Sequence, residues 1–160
     1  MRIGIVGAGI FGIAAAIALQ ARRHDVTVFE QGTVPNERAS STDVSKTIRR
    51  FYGDSPTYVE LAERAAQQWQ VWQERLGERF YFQIGQLQIQ QRFEPGMRIH
   101  DSWQYFQSRD PGVRVLPVAE ARQRFPQFAY HDDDACVWDP WAGYVASGQA
   151  VAALARLARA

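Results

Sequence analysis

The sequence predicts an α/β fold: a parallel βαβ unit first, then a mixed or antiparallel sheet, then a closing helix. Three observations carry this. Residues 3–6 form a short β-branched run that stops at a cluster of glycines. An alanine-rich apolar stretch follows at once, and a second apolar run, residues 26–29, arrives within the first thirty positions. The chain has 160 residues, 46% hydrophobic and 22% charged, which suits one ordinary globular domain. A net charge of +1 gives no reason to expect nucleic acid or an anionic membrane as a partner.

Each element has its own local cause. Residues 3–6 read as a strand buried on both faces, and residues 10–22 as a buried helix in which Ile13, Ile17 and Leu19 are the larger apolar positions. Residues 26–29 give the second strand, closed by Glu30, and the polar stretch 31–43, with Gly32 and Pro35, reads as a loop. Ser55-Pro56 has the form of an N-cap followed by proline at the first helical position. The helix it opens is expected to reach Leu76, with Tyr58, Leu61, Ala62, Ala65, Trp69 and Trp72 on its apolar side and Gly77 as its stop.

Beyond Gly77 the period changes. Ile84, Leu87 and Ile89 stand among glutamines, which predicts two antiparallel strands over residues 80–91 with a kink at Gly85. A helix over 97–108, a strand over 113–116, a short helix over 118–125 and a strand over 135–138 follow. The last segment, 147–160, is alanine-rich and helical. A helix in a doubly wound sheet leads into a further strand, so the fold is expected to be cut short at this end.

The lone cysteine, Cys136, excludes an internal disulfide framework and suits a reducing compartment. Met1-Arg2 before an apolar run imitates a signal peptide. The regularly spaced glycines and the strand that follows without a cleavage-like break argue for a folded start and a cytoplasmic location.

The strongest chemical signal is Gly7-Ala8-Gly9-Ile10-Phe11-Gly12, a G-x-G-x-x-G turn between strand and helix. Gly7 permits the tight turn, Gly9 lets backbone approach a pyrophosphate, and Gly12 lets the helix pack on the sheet. Free amides at the helix start then meet the phosphate charge. Glu30, at the end of the second strand, can accept hydrogen bonds from ribose hydroxyls and would repel a 2′-phosphate. This is a dinucleotide-binding unit, and the fingerprint alone does not separate NAD from FAD.

Resemblance narrows the choice. Residues 7–19 and 26–30 resemble the opening of flavoprotein oxidoreductases. Ala39-Ser40-Ser41, the run from Lys46 through Arg49 to Gly53, and Tyr58, Leu61, Ala62 and Trp69 are similar to the D-amino acid oxidase superfamily. The similarity is to the branch of monomeric sarcosine oxidase and N-methyl amino acid oxidases. It implies a Rossmann-type FAD-binding βαβ unit joined to part of a substrate-domain sheet. FAD-binding segments are then expected at residues 1–76 and 143–160, with a partial substrate domain at 77–142.

What the resemblance implies can be placed residue by residue. Gly7, Ala8, Gly9, Ile10, Phe11 and Gly12, with Glu30 and Gln31, would hold the ADP part of FAD. Ser40, Ser41 and Thr42 would lie along its pyrophosphate and ribityl chain. Lys46 falls where the family sets a basic side chain against the flavin, and Arg49 where it grips the substrate carboxylate. The two would share a face if their stretch is helical. Composition alone would make Lys46, Arg49 and Arg50 a solvated basic turn.

The implied function is oxidation of the C–N bond of an amino acid or N-methyl amino acid by hydride transfer to flavin. Members of that branch are much longer, so two alternatives stand beside it: a non-catalytic dinucleotide-binding remnant, and a subunit needing a second chain. His131-Asp-Asp-Asp134 reads as a solvated turn rather than a metal site. The five tryptophans read as packing residues.

Overall fold

The computed structural model describes residues 1–53 and 55–159. The expected α/β class holds: among the described residues, five helices combine with one parallel and one antiparallel sheet, and with a third sheet of three short strands. The chain divides into two compact units, each assembled from separated stretches of sequence.

The first unit comprises Met1–Thr47, Gln68–Phe82 and Tyr144–Ala160. Strand β1 (Arg2–Val6) pairs in parallel with β2 (Asp25–Phe29), and helix α1 (Ile10–Ala21) crosses between them. α1 ends where Arg23 takes a left-handed φ of 62° and His24 N–H reaches back to Leu19 O at 3.2 Å. Helix α2 (Pro56–Leu76) contributes its second half to this unit, and α5 (Ser147–Arg159) closes it. The core joins Ile13 and Ile17 of α1 to Val151, Leu154 and Ala155 of α5, with Trp69, Trp72 and Leu76 packed against them. Three short strands, β3 (Lys46–Ile48), β4 (Tyr81–Gln83) and β8 (Gly143–Val145), form a sheet in the order β3-β8-β4.

The second unit comprises Ile48–Gln67 and Gln83–Gly143. Its sheet has the order β5-β7-β6 and is antiparallel throughout: β5 (Gln86–Gln90) and β6 (Arg114–Leu116) flank β7 (Ala135–Asp139). Helices α3 (Arg98–Phe106) and α4 (Val118–Arg124) pack around it. One core cluster gathers Phe51, Val59, Ile99, Phe106 and Val137, and a second gathers Leu116, Ala121 and Cys136. Burial, then the charge of nearby Asp134, pushes the Cys136 thiol up, which makes it inert.

Three expectations need correction. The two strands of 80–91 do not pair with each other, because β4 joins β8 and β5 joins β7. Gly85, between them, has a φ of 81° and lies so close to the Trp138 ring that no side chain fits there. The buried stripe of α2 runs through Val59 and Ala66, whereas Tyr58 and Leu61 are exposed. Lys46–Ile48 is a strand, so Lys46 and Arg49 do not share a helical face. Among the described residues, no helix is long and apolar enough to cross a membrane.

Candidate functional site

The site grows from the β1–α1 turn. Gly7 takes a φ of 96°, a conformation that side chains rarely adopt, and its N–H continues the β1–β2 ladder by donating to Phe29 O at 2.7 Å. Gly9 is the N-cap of α1 and makes no side-chain capping bond. A Cβ on Gly12 would run into the Gly7 carbonyl, so the helix can lie this close to the turn only with glycine there. Ala8 is buried, Ile10 packs on the core of the unit, and Phe11 points outward at 91% exposure.

Glu30 is tied to this turn. Its Oε2 accepts the Ala8 N–H at 2.8 Å, and its Oε1 accepts the Gly32 N–H at 3.0 Å and Asn36 Nδ2 at 3.4 Å. The Ala8 amide above all, then that of Gly32, holds the carboxyl below its ordinary range, so it is ionised near neutrality. Glu30 also lies on the rim of a cleft of about 330 Å³ whose apolar walls include Ala8, Ile13, Val28, Val34 and Ala155. Gln31, next in sequence, is exposed.

The loop 39–43 lies over the turn. Ser41 Oγ sits 3.7 Å from where a Cβ on Gly9 would be, and Ser40 is exposed. Thr42 Oγ1 is buried without a hydrogen-bond partner among the described residues. The Asp43 carbonyl accepts Ser147 Oγ at 2.9 Å and the Gly148 N–H at 3.0 Å, which fastens the loop to the start of α5. The structure therefore brings the glycine turn, Glu30 and Ser41 to one place in the first unit.

The two basic candidates differ in their surroundings. Lys46, at the start of β3, is exposed and its ammonium pairs with Asp43 at 2.6 Å. The lysine, first by hydrogen bond, holds the Asp43 carboxyl below its ordinary range. Arg49 belongs to the second unit, where its guanidinium lies 5.7 Å from the Tyr52 ring centroid and makes no ion pair among the described residues.

Sequence reasoning missed Arg50. It is 4% exposed, not solvated. Asp139 takes it in a fork at 2.9 and 3.2 Å, Asp110 at 2.5 Å and Glu63 at 3.3 Å, while the rings of Phe106 and Trp141 flank its carbon at 4.3 and 5.1 Å. Burial pulls this guanidinium's pKa down, but the bonds to Asp139 and Asp110 outweigh burial and raise it overall. No local signal in the sequence marks these partners. The His131–Asp134 turn is a turn, closed by the His131 N–H on Asp134 Oδ2 at 2.7 Å, and no metal-holding cluster exists among the described residues.

Comparison with known proteins now gives this geometry a context. The family model described as FAD dependent oxidoreductase (DAO) matches residues 2–160. An N-methyl-L-tryptophan oxidase of Yersinia pestis (strain Pestoides F) is 24% identical over 150 residues, which is 94% of this chain and 40% of that protein. The chain thus spans about 40% of the length of the curated relatives it matches. Among solved structures, the open form of NikD, an unusual amino acid oxidase essential for nikkomycin biosynthesis, superposes with a TM-score of 0.81 at 22% identity. That match covers 98% of this chain and 40% of NikD. The glycine oxidase of Geobacillus kaustophilus gives 0.78 at 24% identity, over 99% of this chain and 44% of that one.

Proposed function

Because the chain belongs to the FAD dependent oxidoreductase family, we propose that its first unit binds the adenosine and pyrophosphate part of FAD, within a cytoplasmic oxidoreductase of amino acid oxidase type. One observation carries the reading: the Glu30 carboxylate is joined to the Ala8 amide of the glycine turn. That bond sets an acceptor for ribose hydroxyls at a fixed place beside backbone suited to phosphate. The apolar cleft under Glu30 has walls suited to adenine. Gly9, without a Cβ, leaves room beside Ser41, and the unpartnered Thr42 hydroxyl has a hydrogen bond to give. The residues present fit the group.

When bound, FAD supplies a ring that accepts hydride from a carbon next to an amine nitrogen. The chain's own part is to bind and orient. Arg49, free of ion pairs among the described residues, can hold a substrate carboxylate in a bidentate fork and so aim the C–N bond. Lys46 offers a cation for the electron-accepting ring, while sharing its ammonium with Asp43. The named relatives act on amino acids or N-methyl amino acids, and that is the substrate class we assign. A second reading, a nucleotide-binding subunit completed by another chain, draws support from the 91% exposure of both Val6 and Phe11 in the first unit.

The test is a titration of the purified chain with FAD, followed by flavin fluorescence, with NAD as competitor. Saturable binding that NAD barely displaces is expected. Equal displacement by NAD would remove the flavin assignment, and absence of binding would remove the nucleotide site itself.

A further inference from the structure

Glu30 is held in place by more than the glycine turn. Asn36, six residues on, has its Oδ1 occupied by the Arg38 N–H at 2.9 Å, which fixes the amide so that its NH2 end faces Glu30. The same amide lies against Gly32: a Cβ at position 32 would stand 2.8 Å from Asn36 Nδ2. Gly32 does not have a positive φ, so a side chain there would strain no backbone, and its conflict is with the end of the asparagine. The Gly32 N–H meanwhile donates to the same carboxylate oxygen as Asn36. One oxygen of Glu30 thus belongs to the turn and the other to the 32–36 loop. A carboxylate gripped from both sides cannot rotate, so its remaining lone pairs point in set directions.

Resting on the FAD-binding reading, we propose that Asn36, seated against Gly32, is a positioning residue that aims Glu30 at the ribose hydroxyls of the bound nucleotide. The consequence is selectivity for an intact ribose. Without the Asn36 grip, Glu30 keeps its charge and its bonds to Ala8 and Gly32 but loses the side-chain contact that fixes the direction of its Oε1 lone pairs. An aspartate at position 36 would set a second carboxylate against the first and turn the grip into repulsion.

The test uses the full chain and displacement of FAD by two probes, ADP and 2′-deoxy-ADP. The wild type should bind ADP more tightly than 2′-deoxy-ADP. In Asn36→Ala and in Gly32→Ala, ADP affinity should fall about three- to tenfold, the worth of one oriented hydrogen bond, while 2′-deoxy-ADP changes little. The double variant should lose no more than either single one, because both act through the same contact. Thermal melting of each variant is followed alongside. Variants that keep the full preference for ADP overturn the proposal, as do variants in which both probes weaken in step with melting temperature. A wild type that binds neither FAD nor ADP removes the FAD reading itself, a different outcome from wild-type binding that the variants leave unchanged.

Discussion

Arg50 is the residue whose loss the second unit should feel most. Its partners come from α2, from the turn after α3 and from β7, so one side chain ties three parts of the unit together. Removing the Asp139 charge leaves Asp110 and Glu63 on the guanidinium, so the loss is that of a charged hydrogen-bonded fork, about 1.5–3 kcal/mol. Asp139→Asn should therefore lower unfolding free energy by an amount in that range, read by urea denaturation. Acid should act on the same cluster. The Arg50 hydrogen bond holds the Asp110 carboxyl below its ordinary value of 3.8. Its contribution is thus complete above that pH and is lost as pH falls further, through the lowered folded-state pKa. A wild-type acid transition that Asp110→Asn leaves unshifted would contradict this role. Nothing in the neighbourhood of Arg50 in the sequence distinguishes it from Arg49. Burial at one of two adjacent arginines is decided by carboxylates 60 and 89 residues away.

At the scale of elements, α1 carries a removable strain. Arg23 holds a left-handed φ of 62° after the last turn, a conformation that costs a residue with a Cβ about 1 kcal/mol and glycine little. Arg23→Gly should raise the urea midpoint slightly, and a lowered midpoint would show that the arginine side chain matters more than its backbone. The elements themselves were unevenly legible. β1, α1 and β2 follow from composition and glycine spacing because each is decided within its own few residues. β3 and β8 have three residues each and exist only through pairing in a sheet of distant segments, which no local pattern announces. The face of α2 was misjudged because the helix serves both units, so no single apolar stripe runs its length. At the site, the glycine turn and Glu30 were readable from spacing. Asn36 was not, because its role depends on how a loop folds back.

For the whole molecule, the exposed apolar side chains matter most. Val6, Phe11 and Val44 are 91%, 91% and 89% exposed, all in the first unit. Such surface drives self-association unless something covers it. Val6→Thr with Phe11→Ser should reduce light scattering of the isolated chain at fixed concentration without lowering its melting temperature. An unchanged scattering signal would mean that these residues do not drive association.

The division of the first unit among three stretches of sequence bears on how the chain is made. Helix α1 leaves the ribosome before the second unit, but the residues that bury Ile13 and Ile17 lie on α5, which is made after it. The bond from Gln20 to the Ala158 carbonyl spans 138 residues. At roughly 5–20 residues per second, α1 waits about 7 to 28 seconds for its partner. Throughout that interval the glycine-turn segment is synthesised but unsupported, while the second unit, complete at Gly143, can already fold. Birth order and folding order of these segments are therefore reversed: α1 is translated before the second unit but gains its core partner after it, and during that delay it depends most on chaperones.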